Sequence, residues 1–224
     1  MYNFTVRHDL NKKTMIDQIS WLLFSIPSIL IASTVHEYAH AYAAYKLGDY
    51  TARMNGRMTL NPLAHIDPIG ALMMVLARFG WSKPVPINEY NFNDPVKGTA
   101  ITSFAGPASN LIMAVITAIP LRFLLATTEG VTNSLEISFL ARVLATFMLV
   151  NISLAVFNLL PIPPLDGHKI VRAFLPEQLR YFWESLEQYG IWILVLLFLP
   201  ISPLHHVTIG LLTFLLKTSL SILL

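Results

Sequence analysis

Three ionisable residues share one turn in His36-Glu37-Tyr38-Ala39-His40. On a helix, positions i and i+4 stack on one face. Both imidazoles can then bind one metal ion, and the Glu between them can act as general base toward a metal-activated water. The chain has 224 residues and seven His, so H-E-x-x-H arises by chance in roughly 0.7% of such sequences. The plain alternative is a helix end whose histidines merely meet an interface. Ionisable groups beside a long apolar run are costly and mark function, and here the run Gln18 to Val35 leads straight into His36.

A catalytic zinc site takes three protein ligands and leaves a fourth position to water. Candidates for the third are Asp166, His65, His168, Asp67, His205, His206 and the more distant Glu residues. Asp166 stands out because it closes Asn158-Leu159-Leu160-Pro161-Ile162-Pro163-Pro164-Leu165-Asp166-Gly167 at the end of an apolar run. Its prolines cannot sustain a helix. Irregular backbone at membrane depth is tolerated only where it is buried or lines a cavity. The segment is expected to unwind beside a polar pocket, with Asp166 turned into it. An ordinary exit turn with Asp166 in solvent is the competing reading.

Such a site needs elements to position it. The sequence is 54% hydrophobic and 12% charged, against about 45–50% and about 25% in soluble domains. Too little charge remains to solvate a globule, and disorder needs the opposite composition. A net charge of +2 argues against a nucleic-acid partner. The absence of cysteine excludes disulfides, thiolate catalysis and Cys-ligated zinc.

Four charge-free runs are long enough to span a bilayer: Gln18 to Val35, Gly98 to Leu121, Val143 to Leu165 and Gln188 to Leu216. Pro200 and Pro203 break the fourth, which predicts a second short helix over Leu204 to Leu224. The first run is too long for a signal-peptide core and lacks a cleavage site before His36. Ile69 to Ala77 is too short to span. Met54 to Leu60 alternates like a short strand or hairpin. The expected fold is an all-α polytopic membrane protein, a bundle of about four to six transmembrane segments. A short membrane-surface β/loop region separates the first two. We read one domain over 1–224, with a catalytic core over about 18–167 and further spans over about 187–224. The lipid bilayer is thus the first partner. With four spans, 9 Lys and Arg flank one side and 5 the other. By the positive-inside rule the larger loops and the site lie toward the cytoplasm, although the basic tail argues the opposite way.

His36-Glu37-x-x-His40 together with Asn158-x-x-Pro161-x-x-Pro164-x-Asp166-Gly167 resembles the site-2 protease family of intramembrane zinc metalloproteases, peptidase family M50. Asn61-Pro62-Leu63-Ala64-His65-Ile66-Asp67-Pro68-Ile69-Gly70 and Gly106-Pro107-Ala108-Ser109-Asn110 resemble its compact prokaryotic branch, which lacks a PDZ domain. The resemblance covers roughly Ser33 to Gly167. It implies zinc (Zn2+) held by His36, His40 and Asp166, with Glu37 as the catalytic acid/base. It further implies a transmembrane protein as substrate and a multi-pass protein of a prokaryotic cell membrane. Asn158, by its place in the motif, is a candidate amide donor to the oxyanion. Asn110 shares that ambiguity and leans structural. Gly106 and Ala108 are read as helix-packing residues.

The remaining residues receive plain readings. His65 is expected to hydrogen-bond within a loop, and His168 to be solvated or interfacial. His205 and His206 are expected in a loop and His8 in the tail. Trp21, Trp81, Trp183 and Trp192 are expected at span ends. Arg172 to Glu187 reads as an amphipathic surface helix, not a substrate site. No Gly-x-Gly-Asp or Gly-x-Ser-Gly occurs, which disfavours aspartyl and serine intramembrane proteases. A metal-ion transporter and a non-catalytic membrane scaffold are the competing functions.

Overall fold

A computed structural model of the chain describes residues 2–77, 80–127, 135–198 and 205–223. For 2–21, 77, 127, 135–138, 198, 205, 207–208 and 211–212 it describes backbone alone. Among the described residues, three helices are long and apolar enough to cross a membrane. They are Leu22–Lys46 within α1 (Tyr2–Lys46), Pro95–Ala126 within α4 (Pro95–Thr127) and Phe139–Asn158 within α5 (Leu135–Asn158). Between α1 and α4 lie α2 (Thr51–Met54), α3 (Pro68–Ala77) and 3-10 turns at Pro62–Ala64 and Glu89–Asn91. After α5 come α6 (Asp166–Arg172), α7 (Glu177–Ser185), a 3-10 turn at Leu186–Tyr189, α8 (Gly190–Phe198) and α9 (His205–Leu223).

The chain is an all-α membrane protein. At most 33% of the apolar window of any span is fully buried within the chain. On α4 the outward residues include Ile112, Ile116, Ile119 and Phe123, a surface suited to lipid and not to water. Lipid tails remove the hydrophobic drive between helices, so association rests on close packing of small residues and on buried hydrogen bonds. Ala32, Ala41 and Ala44 of α1, Ala114 and Ala118 of α4 and Ala155 of α5 are buried accordingly. Ala114, Ala118 and Leu121 pack with Met148 and Ile152 of α5, and Leu216, Leu220 and Leu223 of α9 close over them.

The first helix carries His36, Glu37 and His40 on one turn, as expected, and continues to Lys46; the three residues turn inward, each at most 7% exposed. Three expectations change. Met54 to Leu60 forms no strand. Gly56 adopts φ +66° and Arg57 N donates to Ala52 O at 2.8 Å, so a turn sits where the alternation predicted extension. Among the described residues the only strand-like pairing is one antiparallel bridge between Ile66 and Ser82, and the surface region is loop and short helix. The fourth charge-free run is divided as expected, but among the described residues its first piece is shorter than the full span anticipated. Its first helix, α8, has 9 residues, about 13 Å of rise against about 30 Å of hydrocarbon. Pro200 and Pro203, with 199–204, lie outside the described residues, as do the side chains of His8, Trp21 and His205. Finally, His205 and His206 open helix α9 instead of lying in a loop.

Candidate metal centre

His36 and His40 lie one turn apart on α1, and their Nε2 atoms are 3.0 Å from each other. Asp166 is the first residue of α6, placed there because the proline segment ends α5 at Asn158 and returns the chain toward α1. Asp166 Oδ2 lies 3.2 Å from His36 Nε2 and 3.3 Å from His40 Nε2. Donor atoms about 2.0–2.1 Å from a tetrahedral zinc are about 3.3–3.4 Å apart, so the triangle has the right size.

The proton positions sharpen this. Asn110 Nδ2 donates to Ala32 O at 3.1 Å and to Asn151 Oδ1 at 2.9 Å. A carbonyl can only accept, so Asn110 Oδ1 is the atom that faces His36 Nδ1, at 2.6 Å, and that nitrogen carries the proton. Thr102 O fixes the proton on His40 Nδ1 in the same way, at 2.7 Å. In the neutral rings both Nε2 atoms are then lone pairs, and they converge on Oδ2, a buried oxygen with no hydrogen-bond donor. Three electron-rich atoms in a buried site repel one another unless a cation lies among them. The residues present fit a metal ion.

The surroundings are built to this shape. A Cβ on Gly106 would lie 2.4 Å from His40 Nε2 and 2.7 Å from His36 Cε1, so α4 can approach the pair only through glycine. A Cβ on Gly167 would lie 2.3 Å from Leu159 O and Leu160 O, which shows how tightly the proline turn folds back beneath Asp166. Glu37 is held by the segment after α3: Ser82 Oγ donates to Oε1 and Val85 N to Oε2, each at 2.9 Å.

The other residues singled out from sequence fall into place differently. Asn110 is fully buried between α1, α4 and α5 and braces His36 from the ring edge opposite the ligand point, which makes it a positioning residue. Asn158 Nδ2 donates to Leu154 O of its own helix at 3.0 Å. His168 is not solvated: it is 1% exposed and stacks on Trp183 with centroids 4.7 Å apart. The two residues exchange bonds, Trp183 Nε1 to His168 O at 2.9 Å and His168 Nε2 with Trp183 O at 3.0 Å. Trp183 thereby anchors the helix that carries Asp166. Trp81 and Trp192 are exposed. In the Arg172 to Glu187 stretch Arg172 closes α6 and a helix, α7, covers Glu177–Ser185; Arg172 pairs with Glu89 and with Glu184 of α7. Sequence reasoning did not find the bracing roles of Thr102, Ser82, Val85 and Trp183.

Residues 24–201 match the model of peptidase family M50. The chain belongs to that family. It is 38% identical over 189 residues to "Putative zinc metalloprotease YwhC" of Bacillus subtilis, covering 83% of this chain and 84% of that protein. It is 30% identical over 174 residues to "Putative zinc metalloprotease Rip2" of Mycolicibacterium smegmatis, covering 75% of this chain and 63% of that protein. The Rip2 protein of Mycobacterium tuberculosis is 28% identical over 174 residues, with 76% of this chain and 64% of that protein covered. No solved structure matches the chain. Membership of family M50 places the chain among the metalloproteases and agrees with the resemblance carried by His36 to Gly167.

Proposed function

We propose that the chain is an intramembrane zinc metalloprotease that hydrolyses a peptide bond within or next to a transmembrane segment of another protein. The convergence of His36 Nε2, His40 Nε2 and Asp166 Oδ2, with both histidines inside an apolar span, carries this reading. Zinc bound there supplies a water acidified to pKa about 7 and a Lewis acid for the peptide carbonyl. Glu37 takes the proton of the attacking water on its carboxylate and later returns it to the leaving amine. Ser82 and Val85 keep that carboxylate aimed while it is unprotonated. Asn110 and the Thr102 carbonyl hold the two imidazoles in the tautomer that ligates, and Gly106 leaves room for them. Asn158, at the end of α5, is by its place in the motif the candidate donor to the oxyanion, a role that requires exchange of its bond to Leu154 O. The site lies at the end of the spans flanked by Lys46–Lys97 and Lys169–Arg180, which carry most of the Lys and Arg. That supports a multi-pass protein with its site nearer the cytoplasm.

The test uses zinc-loaded protein in liposomes with a single-span peptide. We expect cleavage, mapped by mass spectrometry to the membrane-embedded stretch, abolished by a chelator and restored by zinc. An intact peptide together with zinc flux across the liposome would replace this reading with transport.

A further inference from the structure

α5 ends at Asn158, and the proline segment beyond it delivers Asp166 to the metal centre. The register of α5 against its neighbours therefore decides whether that carboxylate meets the two imidazoles. Apolar packing fixes the register poorly. Met148, Ile152 and Ala155 are buried and Leu149 is exposed, yet all four are apolar, and lipid penalises no turn or slide that exchanges them. Among the described side chains of α5, Asn151 is the one that is both polar and buried, at 0% exposed. Seven residues, about two helical turns, separate it from Asn158 on the same face.

The bonds of Asn151 have a fixed polarity. Its Nδ2 donates to Phe147 O at 2.9 Å, a carbonyl that can only accept. That leaves Oδ1 to accept from Asn110 Nδ2, at 2.9 Å. Asn110 Nδ2 directs its other N–H at Ala32 O, 3.1 Å away. Asn110 Oδ1 then faces His36 Nδ1 at 2.6 Å. Three buried side chains thus link α5, α4 and α1 in one line that ends on a metal ligand. Every N–H of the two amides has an acceptor, as buried polar groups require. A slide of α5 by one turn, about 5.4 Å, would strand a donor of Asn110 and an acceptor of Asn151 at membrane depth.

We infer that Asn151 is a positioning residue of the metal centre: it keys α5 to Asn110, so that the histidine pair and Asp166 arrive in register. This rests on the metal-binding half of the reading above and not on proteolysis. Toward α1, the bond holds the Asn110 amide in the orientation that keeps a proton on His36 Nδ1 and leaves Nε2 to ligate. Toward the other ligand, it fixes the height at which the chain leaves α5 for Asp166. A single buried polar residue in an apolar helix interface sets register in coiled coils by the same physics. An apolar residue of similar volume would pack at this position with no loss of burial. A role confined to holding helices together therefore predicts a different outcome from a role in the metal centre.

The experiment reads zinc and not cleavage. Full-length wild type, Asn151→Leu and Asn151→Asp in detergent are titrated with zinc against a competing chelator, and the His36 ring is followed by nitrogen NMR in the zinc-loaded proteins. We expect Asn151→Leu to bind zinc about tenfold more weakly. Its His36 Nδ1–H should exchange with solvent faster, while the metal-free protein melts close to wild type. Asn151→Asp should bind zinc within about threefold of wild type, because a carboxyl kept neutral by burial retains both bonds. Added to Asn110→Ala, Asn151→Leu should cause no further loss, since the two act through one bond. Where Asn151→Leu does not fold, Asn151→Ser takes its place: its hydroxyl can bond Phe147 O but is too short to reach Asn110. Wild-type zinc affinity with an unchanged Nδ1–H signal in Asn151→Leu overturns the role and leaves Asn151 a packing residue. An Asn151→Asp variant as weak as Asn151→Leu, or losses that multiply in the double variant, overturn it too. Wild type that binds no zinc overturns the metal-binding reading itself, and this role with it.

Discussion

Two aspartates mark the difference between holding the fold and doing chemistry. Asp49 follows the end of α1 and is fully buried. Its Oδ1 accepts from Thr51 N at 3.0 Å, from the Thr51 hydroxyl and from Asn91 Nδ2 at 2.8 Å, and its Oδ2 accepts from Asn88 N at 2.8 Å. Every lone pair it needs to satisfy is met by a protein donor, and the result ties α1 to the loop before α4. Asp166 is also largely buried, yet its Oδ2 has no donor and faces two imidazole lone pairs. A saturated carboxylate is a joint. An unsaturated one facing other lone pairs is a ligand waiting for a cation. Burial alone does not separate the two; the bookkeeping of donors does.

Exchanging the two acids tests that distinction most severely. Asp166→Asn should lower zinc affinity by at least about a hundredfold, beyond the 10–100-fold typical of outer partners, with little change in the melting temperature of the metal-free protein. Asp49→Ala should do the reverse, costing about 3 kcal/mol of stability at unchanged zinc stoichiometry. Zinc titration and thermal melts of both variants read this out, and any crossing of the two effects would break the comparison. Asn110→Ala should weaken zinc by about 10–100-fold, because His36 loses the acceptor that fixes its tautomer.

The pH response separates the acids further. Burial raises the pKa of Asp49, but the bonds from the Thr51 hydroxyl, Asn88, Asn91 and the Thr51 amide outweigh it and hold the carboxyl below its ordinary 3.8. A depressed folded pKa means stability that is present above the unfolded value and lost as pH falls through the folded one. The wild-type melting temperature should therefore drop below about pH 4, and Asp49→Asn should flatten that drop. The smallest effect belongs to Trp183→Phe. It keeps the stack on His168 but loses one hydrogen bond, about 1 kcal/mol, and should weaken zinc only a few-fold by loosening α6.

What was legible in the sequence follows from the range of each interaction. His36, Glu37 and His40 declare themselves because helical spacing alone puts them on one turn. Asp166 was legible through its prolines, which force the chain out of a helix where lipid permits no loose backbone. The bracing of His40 by Thr102 was not, because a main-chain carbonyl leaves no mark on residue type. The grip of Ser82 and Val85 on Glu37 was not, because it joins segments more than 40 residues apart. His168 was misread for a related reason: its partner Trp183 is set 15 residues away by the turn between α6 and α7. The strand expected at Met54 to Leu60 failed at Gly56, whose backbone turns where the alternation asked for extension.

We propose that Glu37 takes the proton of the attacking water at a site where a bound zinc would acidify it, and that the cut falls within the membrane. Zinc-loaded wild type and Glu37→Gln, assayed side by side in the same liposomes on the same single-span peptide, test it most directly. The account predicts one zinc per chain in both proteins and cleavage in the wild type alone, with a rate loss of at least about a hundredfold in the variant. Cleavage at equal rates would contradict it.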